Sequence, residues 1–240
     1  MKIADDLKFL GISPYIFWVI VGSFFATAMF LYLIKKDGIN LHLPLFLLAS
    51  SFLGMITGAR GFAVIASKIY FQNTGRESHG GLVFYGGLLG FLLTYYILQK
   101  IMFNSENAVL WDAAAIIIPL FHAFGRIGCA FSGCCFGIEF NRFFVIYSDG
   151  VKRLPVQILG ATCEILLFLL FLILAKKRKF HGALVKIYLT AYPIGRFFIE
   201  FLRDDDVRGM IGIFSFGQIC SVALLLVMTF IHFKKGRFEL

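Results

Sequence analysis

Charged side chains interrupt the long apolar runs of the sequence at a few places. Arg60 lies within LGMITGARGFAVI, and Arg126 lies within FHAFGRIGCAF. Arg196, Glu200 and Arg203 follow at i, i+4 and i+7, a spacing that predicts one shared helix face. A basic side chain at the centre of a bilayer costs about 2.5–3.5 kcal/mol, so such residues usually have a function. The structural alternative is that Glu200 neutralises an arginine and that Arg60 reaches a membrane interface.

Recognition of an anionic lipid is the chemistry that this set of charges fits. With Glu200 as the expected carboxylate, four arginines carry a surplus of positive charge. Guanidinium groups bind phosphate through two parallel hydrogen bonds, so a phosphorylated lipid headgroup is a natural counter-ion. Glycine precedes two of the arginines, in Gly125-Arg126 and Gly195-Arg196, and leaves room for a ligand to approach the backbone. The pattern therefore indicates a phospholipid ligand.

Glycines at short spacing form a second pattern. Gly86, Gly87 and Gly90 lie in one apolar run, and Gly133 and Gly137 follow a later one. Small residues four positions apart allow membrane helices to pack closely, which is one interpretation. The other interpretation is a stretch of backbone that admits a lipid headgroup. The sequence alone leaves both open.

The elements that must position these residues are membrane helices. Of the 240 residues, 59% are hydrophobic and 15% are charged, against about 45–50% and about 25% in soluble domains. The mean hydropathy is +0.84. These figures exclude a soluble globular protein, a disordered chain and a disulfide scaffold. We expect an all-α polytopic membrane protein with a single integral membrane domain over residues 1–240, whose net charge of +9 reflects topology rather than nucleic-acid binding.

Seven apolar runs approach or exceed the 20 or so residues that a membrane helix needs. We predict spans at 15–34, 45–70, 81–98, 108–131, 157–175, 184–201 and 211–233. The polar loop 71–80 and the loop 133–155 are expected to form a small extracytoplasmic cap, with a hairpin at Ser148-Asp149-Gly150 in the second loop. The basic cluster KKRK in a very short loop places the C-terminus in the cytoplasm and the N-terminus outside.

Several segments together resemble one family, the prolipoprotein diacylglyceryl transferases. They are GGLVFYGGLLG, GRIGCAFSGCCFG, and GRFFIEFLRDD followed by FSFGQI, with Gly58-Ala59-Arg60 upstream. The resemblance runs from the second predicted span to the seventh. It implies a multi-pass enzyme of the bacterial inner membrane with seven spans and an outside N-terminus. Such an enzyme transfers diacylglyceryl from phosphatidylglycerol to the lipobox cysteine of a prolipoprotein signal peptide and releases glycerol phosphate.

The resemblance also assigns site residues. Arg126 and Gly137 correspond to the signature segment of the family, and Arg196, Glu200 and Arg203 correspond to its later RxxxExxR element. The chain departs from the family pattern in four respects, one of which is the absence of a Tyr-Gly dipeptide early in the first span, where Phe17-Trp18 stands nearby. Tyr85 stands where His is frequent, Cys129 and Cys134 stand where Asn and Glu are frequent, and 158–160 reads ILG instead of Leu-Tyr-Glu. A variant branch with a different acceptor, and a phospholipid transporter without enzymatic activity, are the alternatives.

Alkylation of a thiol needs a base for the thiol proton and positive charge for the leaving phosphate. The predicted catalytic residues are Arg126, Arg196, Tyr85, His122 and His79, of which the last three are candidate bases. The predicted substrate-binding residues are Arg60, Gly86, Gly87, Gly125, Gly137, Glu200 and Arg203. We expect no cofactor and no metal, because none of the five cysteines forms a CxxC pair; Cys134 and Cys135 are interpreted as small packing residues. The expected partners are phosphatidylglycerol, the prolipoprotein signal peptide and membrane lipids.

Overall fold

Helices account for most of the chain. The computed structural model describes residues 11–76, 82–103, 107–142, 144–148, 150–177, 182–204 and 209–236. Within these ranges the α-helices are α1 (Pro14–Lys36), α2 (His42–Thr74), α3 (Phe84–Phe103), α4 (Ala108–Phe131), α5 (Val156–Ala175), α6 (Leu184–Ile199) and α7 (Phe216–Gly236). All of these except α6 are long and apolar enough to cross a membrane. The expected all-α polytopic membrane fold is confirmed.

Helix α4 has the predicted bounds. The predicted loop over 71–80 is wrong for its first four residues. Residues 71–74 continue α2. This helix ends at Gly75, whose φ of 66° is in the left-handed region and whose N–H donates to the Phe71 carbonyl at 2.8 Å. Residues 77–81, which include His79 and the predicted start of the third span, lie outside the described residues.

The last two predicted spans also differ from the helices. Helix α6 has only 16 residues, contains Pro193 and gives way to a 3-10 turn at Glu200–Leu202. Helix α7 begins at Phe216 rather than 211, because strands β3 (Met210–Ile211) and β4 (Phe214–Ser215) first form a short antiparallel pair. The other antiparallel pair is β1 (Ile146–Ser148) with β2 (Val151–Arg153).

A reciprocal pair of hydrogen bonds caps α7. The Ser215 hydroxyl oxygen accepts the Gln218 N–H at 3.2 Å, and the Gln218 amide oxygen accepts the Ser215 N–H at 2.9 Å. This arrangement is a capping box, in which two side chains satisfy N–H groups at a helix start. The residues FSFGQI that carry part of the family resemblance thus define the start of this helix.

The chain divides into two compact units. The first contains Met1–Gly38, Val109–Val185 and Phe201–Asp205. The second contains Ile39–Ala108, Lys186–Glu200 and Asp206–Leu240. A single membrane domain over 1–240 stays a prediction.

In the first unit, aromatic rings and glycines bring α1 against α4. Trp18 stacks on Phe124 with ring centroids 6.1 Å apart. A Cβ placed on Gly22 would lie 2.7 Å from the Cβ of Phe124, and one placed on Gly128 would lie 3.1 Å from the Cβ of Trp18. Glycine at both positions therefore permits the close contact of the two helices.

The loop between α4 and α5 forms a small β structure in the first unit. Strands β1 and β2 confirm the predicted hairpin, and Gly150 provides the left-handed turn residue with φ 80°. The segment 136–140 pairs on one side with β2 through Glu139 and on the other side with Arg203 through Gly137. A Cβ on Gly137 would lie 2.6 Å from the Leu154 carbonyl oxygen, so this glycine is required by close backbone approach.

In the second unit, two glycine pairs bring α2 against α3. Gly54 faces Gly90, and Gly58 faces Gly86, so the helices run antiparallel. A Cβ on Gly86 would also lie 2.6 Å from the Cβ of Phe62. The packing interpretation of the glycine pattern accounts for these positions.

Candidate functional groups of the two units

A histidine and a glutamate form a buried pair between α4 and α5 in the first unit. The Nδ1 of His122 lies 2.8 Å from the Oε1 of Glu164, and both residues are buried. A carboxylate at Nδ1 favours the tautomer that carries its proton there, which leaves the basic lone pair at Nε2. The pair therefore has the arrangement of an imidazole base oriented by an acid.

Arg126 lies one helical turn beyond His122 on α4 and faces Gly160, one turn before Glu164 on α5. A Cβ added at Gly160 would lie 3.5 Å from the Cδ and 3.6 Å from the Nε of Arg126. The departure from the family pattern at this position thus gives room to the arginine side chain. A Cβ at Gly125 would have no neighbour within 4 Å, which fits the expectation of open space beside this arginine.

Three cysteines converge at the end of α4 in the same unit. The sulfur atoms of Cys129, Cys134 and Cys135 all lie within 4.8 Å of one another. Hydrogen bonds with the other two thiols, and then the charges of Arg203 and Arg126, lower the pKa of Cys135 well below its usual range. Cys134 is exposed, so its interpretation as a packing residue is wrong.

Arg203 belongs to the first unit rather than to the helix face predicted for it. The chain leaves the α-helical path at Glu200, and Arg203 forms a β-bridge with Gly137. Next to it, Asp204 accepts from Arg153 Nη1 at 2.7 Å, and the Arg153 guanidinium lies 4.5 Å from the ring centroid of Phe136. The predicted i, i+4, i+7 face is therefore correct for Arg196 and Glu200 only.

In the second unit, Arg196 is paired with Glu200 as the spacing predicted. Arg196 Nη2 lies 2.5 Å from Glu200 Oε2, and Glu200 is buried. Both side chains lie beside the first turn of α7, because a Cβ on Gly217 would be 3.5 Å from the Glu200 oxygen and 3.6 Å from Arg196 Nη2. A Cβ on Gly195 would meet no atom within 4 Å.

Tyr85 contacts the second turn of α7. Its hydroxyl lies 2.6 Å from Ser221 Oγ, and Ser221 donates its own proton to the Gly217 carbonyl at 2.9 Å. Tyr85 is therefore the donor to Ser221. This role is that of a neutral phenol that positions neighbours, and it favours His122 over Tyr85 as the base.

The remaining predicted site residues have simpler surroundings. Gly86 and Gly87 face α2, where Gly87 is near Met55 and Ala59. Arg60 is exposed on α2. His79 lies outside the described residues.

Two buried carboxylates were missed by the sequence reasoning, and the expectation of one intramembrane acid beside four arginines is wrong. Glu164 is in α5 and Asp112 is in α4. Asp112 accepts N–H groups from Gly182 at 2.8 Å and Leu184 at 3.4 Å, so it caps the start of α6. Both acids are charged residues within predicted spans of the sequence. Including them among the intramembrane charges would have identified Glu164 as a candidate partner of His122.

Apolar helices that carry buried ionisable groups on facing positions define the class of this protein as an integral membrane protein with a functional polar site. A model of the family described as "Prolipoprotein diacylglyceryl transferase" matches residues 2–234. The chain belongs to this family, a family of membrane transferases.

Two relatives illustrate the similarity. The "Phosphatidylglycerol--prolipoprotein diacylglyceryl transferase 2" of Clostridium perfringens (strain 13 / Type A) is 31% identical over 250 residues, which cover 96% of this chain and 94% of the relative. The "Phosphatidylglycerol--prolipoprotein diacylglyceryl transferase" of Clostridioides difficile (strain 630) is 33% identical over 172 residues, 70% of this chain and 68% of the relative.

Proposed function

We propose that this chain transfers the diacylglyceryl group of phosphatidylglycerol to the lipobox cysteine thiol of prolipoproteins. The observation that carries the proposal is the family match over residues 2–234, together with relatives whose names state this donor and this acceptor. The first unit supports the proposal, because Arg126 offers positive charge for a departing phosphate and His122 offers a base for a thiol.

The roles of the first unit follow from its geometry. Arg126 binds the donor phosphate and stabilises the charge that develops on glycerol phosphate as it leaves. Nε2 of His122 accepts the acceptor proton, and Glu164 orients the imidazole and stabilises its protonated form. Glu164 is thus a positioning residue rather than a catalytic one.

In the second unit, Arg196 is itself a candidate phosphate ligand. A guanidinium has five N–H donors in a rigid fork, so one carboxylate oxygen does not exhaust its capacity. Glu200 holds this fork in a defined orientation at 2.5 Å. The Tyr85 to Ser221 hydrogen bond fixes the helix start beside it. Three further residues of this unit are expected to contact phosphatidylglycerol without reacting with it: Gly195, Gly217 and Arg60.

The orientation that we propose places the protein in the bacterial inner membrane with its N-terminus outside. It rests on the basic cluster between α5 and α6, since cytoplasmic loops are enriched in Lys and Arg. With this orientation, the β1–β2 hairpin and the segment 136–140 face outward.

One assay separates this function from its alternatives. Purified protein is given phosphatidylglycerol labelled in the glycerol headgroup, with a lipobox peptide or the same peptide in which Ser replaces Cys. We expect glycerol phosphate release and a lipidated product with the Cys peptide alone. Release with a sugar or a small thiol instead of the peptide would identify a different acceptor. Movement of the lipid between bilayer leaflets without release would identify a transporter.

A further inference from the structure

The three clustered thiols of the first unit form a site for which the reaction described so far has no use. Cys129 is in the last turn of α4, and Cys134 and Cys135 follow in the next loop. Gly133 and Cys135 adopt left-handed φ values of 64° and 58°, which turn the chain back over the end of the helix. The turn brings all three sulfur atoms within 4.8 Å of one another.

Hydrogen bonds from both sides fix this loop. The Cys134 N–H donates to the Cys129 carbonyl at 3.2 Å. The side-chain amide of Gln157, on α5, donates to the Cys134 carbonyl at 2.6 Å. The backbone that carries Cys134 is therefore held in place from α4 and from α5.

Three thiols at this separation match the donor set of zinc. Thiolate sulfur selects soft and borderline metals. Zinc–sulfur bonds of about 2.3 Å at tetrahedral angles put ligand sulfurs about 3.8 Å apart, so shifts of roughly 1 Å or less complete the site. Zinc centres with three protein ligands keep a fourth position for water or substrate, whereas structural centres use four.

We propose that Cys129, Cys134 and Cys135 bind one Zn²⁺ whose fourth position receives the thiol of the acceptor cysteine. This inference rests on the proposed function, since it assigns the acceptor subsite of that reaction. The exposure of Cys134 places the site within reach of an incoming peptide. Arg126 and Arg203 interact electrostatically with Cys135 and offset the negative charge of a zinc tetrathiolate.

The chemistry balances without any redox change. Coordination removes the proton of the acceptor thiol, because a metal-bound thiol is deprotonated outright, and His122 receives that proton. The zinc-bound sulfur then attacks the glycerol carbon that carries the phosphate ester. The sulfur–carbon bond forms as the carbon–oxygen bond breaks, and glycerol phosphate leaves with the electron pair. The product is a thioether, a neutral sulfur that binds zinc weakly and departs.

The first test measures metal binding without reference to activity. Protein without a histidine tag is purified, stripped with a chelator and titrated with ZnCl₂. We expect about one Zn²⁺ per chain, and the same value for C163S, which removes an exposed cysteine of α5 outside the cluster. C129S, C134S and C135S should each lose this binding at unchanged thermal stability in detergent. Equal zinc uptake by the triple variant and the unmodified protein would overturn the site.

The second test asks what occupies the fourth position. Co²⁺ replaces zinc, and its visible absorption reports the number of thiolate ligands. The lipobox peptide with Cys should change the spectrum, and the peptide with Ser should not. A spectrum that the Cys peptide leaves unchanged would overturn the acceptor role. Full transfer activity in chelator-stripped protein would also overturn it while the proposed function stands. Zinc binding and a Cys-dependent spectrum in a protein without transfer activity would support the site and contradict the function.

Discussion

His122 and Glu164 face each other from α4 and α5, with Nδ1 and Oε1 2.8 Å apart and both side chains buried. One helical turn further along each helix, Arg126 faces Gly160. The two helices thus present the proposed base and the proposed phosphate ligand from the same pair of faces. An apolar span tolerates such groups at a cost, which supports the roles proposed for them.

Glu164 is the residue with which to test this pair. Glu164→Gln keeps a hydrogen-bond acceptor for Nδ1 but removes the charge that stabilises imidazolium. We expect transfer to fall and the pH profile of transfer to shift, because the two side chains interact differently with a protonated ring. His122→Ala should cost roughly 10²–10⁴-fold, the usual contribution of a general base.

His232→Ala is the control for the histidine substitution, because His232 is exposed on α7. An unchanged pH profile in Glu164→Gln would contradict the positioning role. In that case the buried pair would be structural, and Glu164→Ala would act by lowering thermal stability, since breaking a buried pair costs about 3–5 kcal/mol.

The arginines should not tolerate lysine. Arg126→Lys and Arg196→Lys keep the charge but lose the planar fork that matches phosphate. We expect each to lower transfer per folded molecule by roughly 10²–10³-fold, the cost of removing one donor to a developing oxyanion. Arg142→Lys is the matched control, because Arg142 is exposed in the loop after α4. Near-normal specific activity of either site variant would exclude the bidentate contact at that position.

Tyr85 is expected to act through position rather than as a base. Tyr85→Phe removes the hydroxyl that donates to Ser221 at 2.6 Å. Because Ser221 keeps its bond to the Gly217 carbonyl, we expect the loss in transfer to stay below tenfold, about the worth of one neutral hydrogen bond. Ser221→Ala should have a similar effect, and the double variant should be no worse than either. A loss of 10²-fold or more in Tyr85→Phe, measured in the same assay, would restore Tyr85 as the base.

Sequence patterns were sufficient to predict the structural features that depend on residues close together in the chain. The run of apolar residues gave the bounds of α4, and the Asp149-Gly150 turn flanked by short apolar runs gave the β1–β2 hairpin. The i, i+4 spacing gave the Arg196–Glu200 ion pair. Each of these depends on helical or hairpin periodicity, which the sequence carries directly.

Contacts between distant segments could not be predicted in the same way. His122 and Glu164 are 42 positions apart, and their pairing depends on how α4 packs on α5. The sequence contains no CxxC spacing, so it did not predict that the three thiols lie close together. A left-handed backbone conformation at Cys135 brings them together. Arg203 left the predicted face because a 3-10 turn replaces the helix at Glu200.

The orientation is tested by a label placed between α5 and α6. In a chain whose native cysteines are replaced by Ser, Lys177→Cys should stay unreactive to a membrane-impermeant maleimide in intact cells and react after lysis. Arg142→Cys, in the loop after α4, should react in intact cells. The expectation follows from the enrichment of basic residues in cytoplasmic loops. Labelling of position 177 from outside would reverse the proposed topology.

Glycine at the contact of α2 with α3 should be required for stability. Gly58→Ala places a Cβ 3.1 Å from the Cα of Gly90 and closer still to the Gly86 carbonyl oxygen, so backbone must move. Overpacking of this kind costs about 1–3 kcal/mol. We expect a lower thermal unfolding midpoint in detergent, because the two helices separate, and a similar decrease for Gly90→Ala.

Gly61 supplies the matched control on the same helix. A Cβ there would meet no atom within 4 Å, and alanine is favoured over glycine inside a helix by about 0.5–1 kcal/mol. Gly61→Ala should therefore leave the midpoint unchanged or raise it. Two further outcomes distinguish packing from lipid recognition. Gly58→Ala with a normal midpoint but weaker binding of phosphatidylglycerol would assign this glycine contact to the donor, whereas a lower midpoint with unchanged transfer per folded molecule assigns it to the packing of α2 on α3.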